Sequence, residues 1–88
     1  MDATPDWYVY ILSCADGSYY VGVAQDVERR VHVHNAGRGS VHTARRRPVR
    51  LAYAERCGAK SAARRRENEI KGWRREKKQA LIRKGTLG

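Results

Sequence analysis

Trp7-Tyr8-Val9-Tyr10-Ile11-Leu12-Ser13-Cys14-Ala15-Asp16-Gly17-Ser18-Tyr19-Tyr20-Val21-Gly22-Val23-Ala24 is the stretch whose reading decides the fold. Two runs rich in aromatic and β-branched residues, Trp7–Leu12 and Tyr19–Ala24, flank Ala15, Asp16 and Gly17, the pattern of a β-hairpin. Its register follows from its faces. A two-residue Asp-Gly turn sets Tyr10 opposite Val23, whereas a three-residue loop with Gly17 at the left-handed bulge position sets Tyr10 opposite Gly22. Only the second gathers Trp7, Val9, Ile11, Tyr19, Val21 and Val23 on one face, because a slip of one residue turns every side chain over. The three-residue loop is therefore predicted. The opposite face carries Tyr8, Tyr10, Leu12, Tyr20 and Gly22, two neighbouring phenols beside a glycine that leaves room above the sheet.

Outward from the hairpin, Asp26 is a suitable N-cap for a helix from Val27 to about Asn35, with Gly37 at its C-terminal stop. Val27 and Val31 set the inner face of that helix, flanked by Arg30 and His34, while Glu28, Arg29 and His32 point outward. A basic, glycine-containing loop is expected from Gly37 to Arg47. After Pro48, Val49, Leu51 and Tyr53 alternate with Arg50, Ala52 and Ala54, as in a half-buried third strand. Ser61 is placed to cap a second helix reaching about Arg75. Along one of its sides fall Ala63, Glu67, Ile70 and Trp73, so Glu67 takes a position suited to an aliphatic residue. Glu69 lies on another side with Arg65 and Asn68. A short third helix is expected from Glu76 to Arg83, with frayed residues beyond it.

The chain has 88 residues, enough for one compact domain and not for two, so residues 1–88 read as a single unit with an ordered core of about 6–83. Lys and Arg number 19 against 9 Asp and Glu, a formal charge of +10 that a folded domain holds against its own repulsion. A polyanionic partner is the simplest reason to keep it. Membrane binding is disfavoured, since the helical segments lack a continuous apolar stripe and no apolar run is long enough to span a bilayer. Cys14 and Cys57 stand far apart with no CxxC spacing, so both are expected to be reduced, and no zinc motif is present because His32 faces away from His34. The first residues lack a basic region followed by an apolar one, which points to a cytoplasmic protein.

At the level of motifs, Tyr8-Val9-Tyr10 followed across the hairpin by Tyr20-Val21-Gly22 resembles the paired motifs of the GIY-YIG nuclease superfamily. Glu28-Arg29-Arg30 with His34 resembles the helix that follows them. Asp16-Gly17-Ser18, His34-Asn35-Ala36-Gly37, Arg46-Arg47-Pro48-Val49 and Glu67-Asn68-Glu69-Ile70-Lys71 are similar to the small stand-alone bacterial members. The likeness covers nearly the whole chain. Two positions depart from the family pattern, Tyr8 for the first glycine and Val21 for the central isoleucine, and neither carries a catalytic side chain. The resemblance implies an α+β fold, a three-stranded antiparallel sheet flanked by helices.

The resemblance also implies a chemistry, metal-dependent hydrolysis of the phosphodiester backbone. That reaction needs an activated water, neutralised phosphoryl oxygens and help for the departing 3′ oxygen. Glu67 would hold Mg²⁺ or Mn²⁺, hard cations that favour carboxylate and water oxygens, with substrate phosphate completing a weak one-carboxylate site. Tyr10 would orient or deprotonate the water, which asks nearby positive charge to lower a phenol pKa of about 10. Arg30 would hold a phosphate oxygen and stabilise a phenolate, and Tyr20 and His34 would complete the network. For nucleic-acid contacts the candidates are His42, Arg45, Arg46, Arg47, Lys71 and Arg74, which meet the backbone without reading bases. DNA is the expected substrate, with RNA left open, in repair or recombination and with selectivity for structure over sequence. The rivals are a catalytically silent nucleic-acid-binding module and a subunit that needs a protein partner or a second copy. Each residue also has a plainer reading, Glu67 for instance as the surface partner of Lys71 four residues on.

Overall fold

A computed structural model describes residues 6–87, and side chains as far as residue 85. Three strands, β1 (Trp7–Ser13), β2 (Tyr19–Ala24) and β3 (Arg50–Gly58), form an antiparallel sheet in the order β2-β1-β3. Helices α1 (Val27–Asn35) and α2 (Val41–Ala44) lie between β2 and β3 in the chain, and α3 (Lys60–Lys71) and α4 (Arg75–Leu87) follow β3. This is the α+β architecture expected. In the hairpin Tyr10 pairs with Gly22, Gly17 takes φ +88°, and the Gly17 N–H donates to the Cys14 carbonyl at 2.9 Å. The three-residue loop and the faces derived from it are therefore present.

Both faces of the sheet are covered. On one, Val9, Ile11 and Val21 pack with Ile70 of α3, joined by Tyr19, Val23, Tyr53, Trp73, Leu81 and Ile82. On the other, Tyr10, Leu12, Cys14, Ala24 and Val49 pack with Tyr20, Val27 and Val31. Val9, Ile11 and Leu12 are wholly buried, and each such side chain stabilises the fold by about 1.5–3 kcal/mol through removal from water. Cys14 and Cys57 are free thiols.

Asp26 caps α1 as expected, its side chain accepting the Arg29 N–H at 3.0 Å. At the other end Gly37 has φ +84°, and the Gly37 and Arg38 N–H groups donate to the His34 and Val33 carbonyls, so the orphan carbonyls of the last turn are satisfied. Asn35 then ties this helix to the start of β3. Its amide donates to the Val49 carbonyl at 3.0 Å and its Oδ1 accepts the Val49 N–H at 2.7 Å, replacing a strand partner with a side chain.

Four elements differ from expectation. The basic loop contains α2, capped by Ser40, whose Oγ accepts the Thr43 N–H at 3.1 Å. The third strand runs on through Glu55, Arg56 and Cys57, because Glu55 and Arg56 at this sheet edge are held by Arg66 and Asp6. Within it Leu12 pairs with Leu51 but Ile11 pairs with Tyr53, so Ala52 is an extra residue that turns Leu51 and Tyr53 to opposite faces. Leu51 is left 45 % exposed, and the simple alternation fails there. The second helix starts after Ala59 with no side-chain cap in place of Ser61, and stops at Gly72, not Arg75; Trp73 sits in the link to α4. Helix α4 continues past Arg83 to Leu87, where a frayed end was expected, and Gly88 lies outside the described residues.

Candidate active site

The site lies on the α1 face near β2, one of the two edge strands of the sheet. It begins with a missing side chain. A Cβ on Gly22 would stand 2.6 Å from the Tyr10 hydroxyl and 2.7 Å from Cζ, so the Tyr10 ring lies across the backbone of the neighbouring strand. The room above Gly22 is thus occupied by the phenol itself. Tyr10 is 1 % exposed.

From α1, His34 is wholly buried and its Nε2 lies 3.0 Å from the Tyr10 hydroxyl. Its Nδ1 lies 2.8 Å from Oγ1 of Thr43 in α2, a second wholly buried polar side chain. Gly39 makes this approach feasible, since a Cβ there would fall 2.1 Å from His34 Nδ1. Arg30, one turn before His34, favours the ionised form of Tyr10 through its charge and reaches the Gly39 carbonyl at 3.5 Å. Tyr20 stands over the same ground, its ring centroid 4.9 Å from that of His34 and 6.5 Å from that of Tyr10.

Electrostatics correct one expectation. Burial pushes the Tyr10 phenol up to about 12, outweighing the opposing influence of Arg30, while Tyr20 and Glu67 push in the same direction as burial. Tyr10 is therefore a neutral phenol in the free protein, not a phenolate. Burial, aided by the Arg30 charge, also lowers the His34 pKa from its usual 6.5, so the imidazole is neutral at pH 7.

Glu67 projects from α3 and is only 7 % exposed. Its charge is felt by Tyr10, and its Oε2 is 3.0 Å from Lys71 Nζ. Glu69 is on the other side of α3, bonded to Arg66 and more than half exposed. Among the described residues no three His, Cys, Asp or Glu side chains converge on one point. Glu67 alone fits as one hard oxygen ligand of a divalent cation, the remaining positions falling to water and phosphate oxygens.

The residues expected to touch nucleic acid divide into two kinds. Arg46 donates to Asp16 at 2.8 Å and to the His42 carbonyl at 2.9 Å, and the Asp16 carboxyl is held down at about 2 by the Ser18 hydroxyl and N–H first and by Arg46 after them. Arg47 donates to the Ala44 and Asn35 carbonyls. Both thus fasten the loop, and Lys71 is engaged with Glu67. Arg45 and Arg74 are exposed. His42 is half-buried, its ring stacked over Tyr20 with centroids 6.2 Å apart and its Nε2 3.2 Å from Ser18 Oγ. Thr43, Ser40 and Gly39 were not read as site residues. Ser40 followed by Thr43 three positions on is a helix-start signal, and it was the one available clue.

Comparison with known proteins gives the family and the fold. The family profile described as the GIY-YIG catalytic domain matches residues 6–80. A UPF0213 protein of Haloquadratum walsbyi is 53 % identical over 79 residues, 90 % of this chain and 89 % of that one. One of Staphylococcus saprophyticus is 50 % identical over 78 residues, covering 89 % of this chain and 95 % of that one. The solution structure of a UPF0213 protein from Bacillus halodurans superposes with a TM-score of 0.59 at 43 % identity, covering 91 % of this chain and 86 % of that one. A second solution structure, of an E. faecalis protein, gives 0.65 at 34 % identity over 100 % of this chain and 94 % of that one. The match runs from the paired tyrosine motifs through the helix that bears Glu67, and the chain belongs to the GIY-YIG family, a nuclease superfamily.

Proposed function

We propose that this protein is a metal-dependent endonuclease that hydrolyses DNA phosphodiester bonds with little sequence specificity and acts in the cytoplasm on branched, nicked or single-stranded structures. The observation that carries the reading is the buried Tyr10–His34 hydrogen bond, 3.0 Å long, with the Arg30 guanidinium beside it. It supports a mechanism in which the imidazole serves as base, the phenol oxygen relays a proton and the guanidinium binds phosphate.

Half-buried Arg30 and Tyr20 meet the substrate phosphate in this reading, while Tyr10, nearly closed off, is reached only by something as small as water. The Tyr10 oxygen accepts the proton of that water as its own proton passes to His34 Nε2. The water oxygen bonds to phosphorus, the bond to the 3′ oxygen breaks with its electron pair, and solvent protonates the leaving oxygen. Mg²⁺ or Mn²⁺, anchored by Glu67 once it parts from Lys71, would supply charge neutralisation on the phosphate. A phenol held near 12 is no obstacle here, because the base is the imidazole behind it.

Nicking of supercoiled, branched and single-stranded DNA with Mg²⁺, Mn²⁺ or EDTA tests the proposal. Tyr10→Phe and Glu67→Ala should each lower cutting by at least about 10²-fold while binding survives, and Glu69→Ala should leave cutting nearly intact. The silent nucleic-acid-binding module remains the second reading, favoured by the 1 % exposure of Tyr10 and the Lys71–Glu67 pair. Metal-independent binding with no cutting of any of these substrates, or of RNA, would establish it.

A further inference from the structure

Between Arg30 and the Ser40 carbonyl stands a line of polar groups whose hydrogen-bond direction can be worked out. A guanidinium has donors and no acceptor, and a carbonyl has acceptors and no donor. Tyr10, His34 and Thr43 stand between these two ends. The Arg30 guanidinium bears on the Tyr10 hydroxyl and, having no acceptor, offers its proton no partner, whereas His34 Nε2 lies 3.0 Å away. Thr43 Oγ1 lies 3.3 Å from the Ser40 carbonyl and 3.0 Å from Ser40 Oγ, which already accepts the Thr43 N–H. The Ser40 carbonyl can only accept, so a Thr43 hydroxyl proton directed to it leaves the Oγ1 lone pairs for His34 Nδ1 at 2.8 Å. In the reverse direction neither the imidazole nor the guanidinium would accept the Tyr10 proton. No buried side-chain polar atom among the described residues lacks a partner, in keeping with a fully satisfied line.

We infer that Thr43, directed by Ser40, is a positioning residue that locks His34 into the tautomer protonated on Nδ1, so that unprotonated Nε2 faces the Tyr10 hydroxyl. Thr43 touches no substrate. It acts by fixing which nitrogen of a neutral ring is able to receive a proton, a choice that a buried imidazole otherwise makes by its surroundings alone. Gly39 has a matching part, since any side chain there would push the ring off this line. The catalytic consequence rests on the nuclease reading; the tautomer does not.

The test uses the whole chain labelled with ¹⁵N-histidine, at a pH where His34 is neutral. Long-range ¹H–¹⁵N correlation tells the two tautomers apart. Wild type and Thr43→Ser should both hold the proton on Nδ1, and Thr43→Val should move it wholly or partly to Nε2. In the nicking assay Thr43→Val should cut about 10- to 100-fold more slowly, as when an outer partner that orients a reactive imidazole is removed, and Thr43→Ser should restore most of the rate. A wild-type His34 protonated on Nε2 overturns the inference, and so does a Thr43→Val protein with its tautomer unchanged. If Thr43→Val does not fold, the wild-type and Thr43→Ser spectra still decide. A wild type with the expected tautomer that cuts nothing under any metal condition overturns the nuclease reading and leaves the Thr43 assignment standing.

Discussion

Gly22 carries the most information of any single residue, because what it lacks gives Tyr10 its place. An added methyl group would meet the Tyr10 hydroxyl at 2.6 Å, closer than real Cβ contacts allow. Gly22→Ala should therefore move the phenol off His34 and reduce nicking about as much as Tyr10→Phe, with binding retained; equal cutting by wild type and Gly22→Ala would show that the phenol position does not matter. His34 supplies the pH prediction. Its pKa in the fold is below the value of 6.5, so above that pH neither folded nor unfolded chain is protonated there and nothing is lost. As pH falls through 6.5 the unfolded chain takes up a proton that the folded chain refuses, and stability declines until the lower folded pKa is reached. The thermal midpoint should fall between about pH 7.5 and about pH 5, and His34→Gln should flatten that slope. Asp16, held at about 2, titrates well below this window.

Among the elements, the hairpin and α1 were legible because their signals are local. Alternation, a left-handed glycine and a side-chain cap each act within a few residues, and all three agree here. By contrast α2 has four residues, too few for any period, so its cap Ser40 and the buried Thr43 passed for loop. Helix α3 was overrun at Gly72 because Trp73 keeps the helical phase of Ile70 and packs on the same face without being helical. The bulge at Ala52 is set by pairing with β1, which no reading of β3 alone reveals. For the site the same rule holds. Tyr10, Tyr20, Arg30 and His34 fall on readable faces, whereas the His34–Thr43 contact depends on how the loop folds back. Asn35 is the element-level test. Asn35→Ala would leave both polar groups of the 3 %-exposed Val49 without partners, at a cost of about 1–3 kcal/mol for each buried group so stranded. Thermal unfolding should drop by several degrees for each kcal/mol lost, and an unchanged midpoint would mean water replaces the clamp.

For the molecule as a whole, charge of +10 is partly committed to the fold and partly free to act outward. Arg46, Arg47, Arg56 and Arg66 are engaged with carboxylates or carbonyls, and Lys60, Arg75 and Lys77 lie over the rings of Trp7, Tyr19 and Trp73. Arg45 and Arg74 are exposed. The affinity for DNA should fall steeply with salt, and Arg45→Ala should lessen the log–log slope by about one, as for loss of one phosphate contact. Arg46→Ala should instead lower thermal stability, since it unfastens Asp16 from α2. Equal salt slopes for wild type and Arg45→Ala would remove that arginine from the binding surface.

The strand order has a consequence in time. The middle strand is the first to leave the ribosome, yet Ser13 awaits Arg50 and Trp7 awaits Gly58, both beyond the midpoint of the chain. Until then the β1 edge of the nascent hairpin is open as well as that of β2 and its apolar face has nothing to rest on, a state only marginally stable in water. Assembly is thus expected to come late, after translation has delivered both the distal partner and the helix that covers it, with these distant pairings slowing its rate-limiting step.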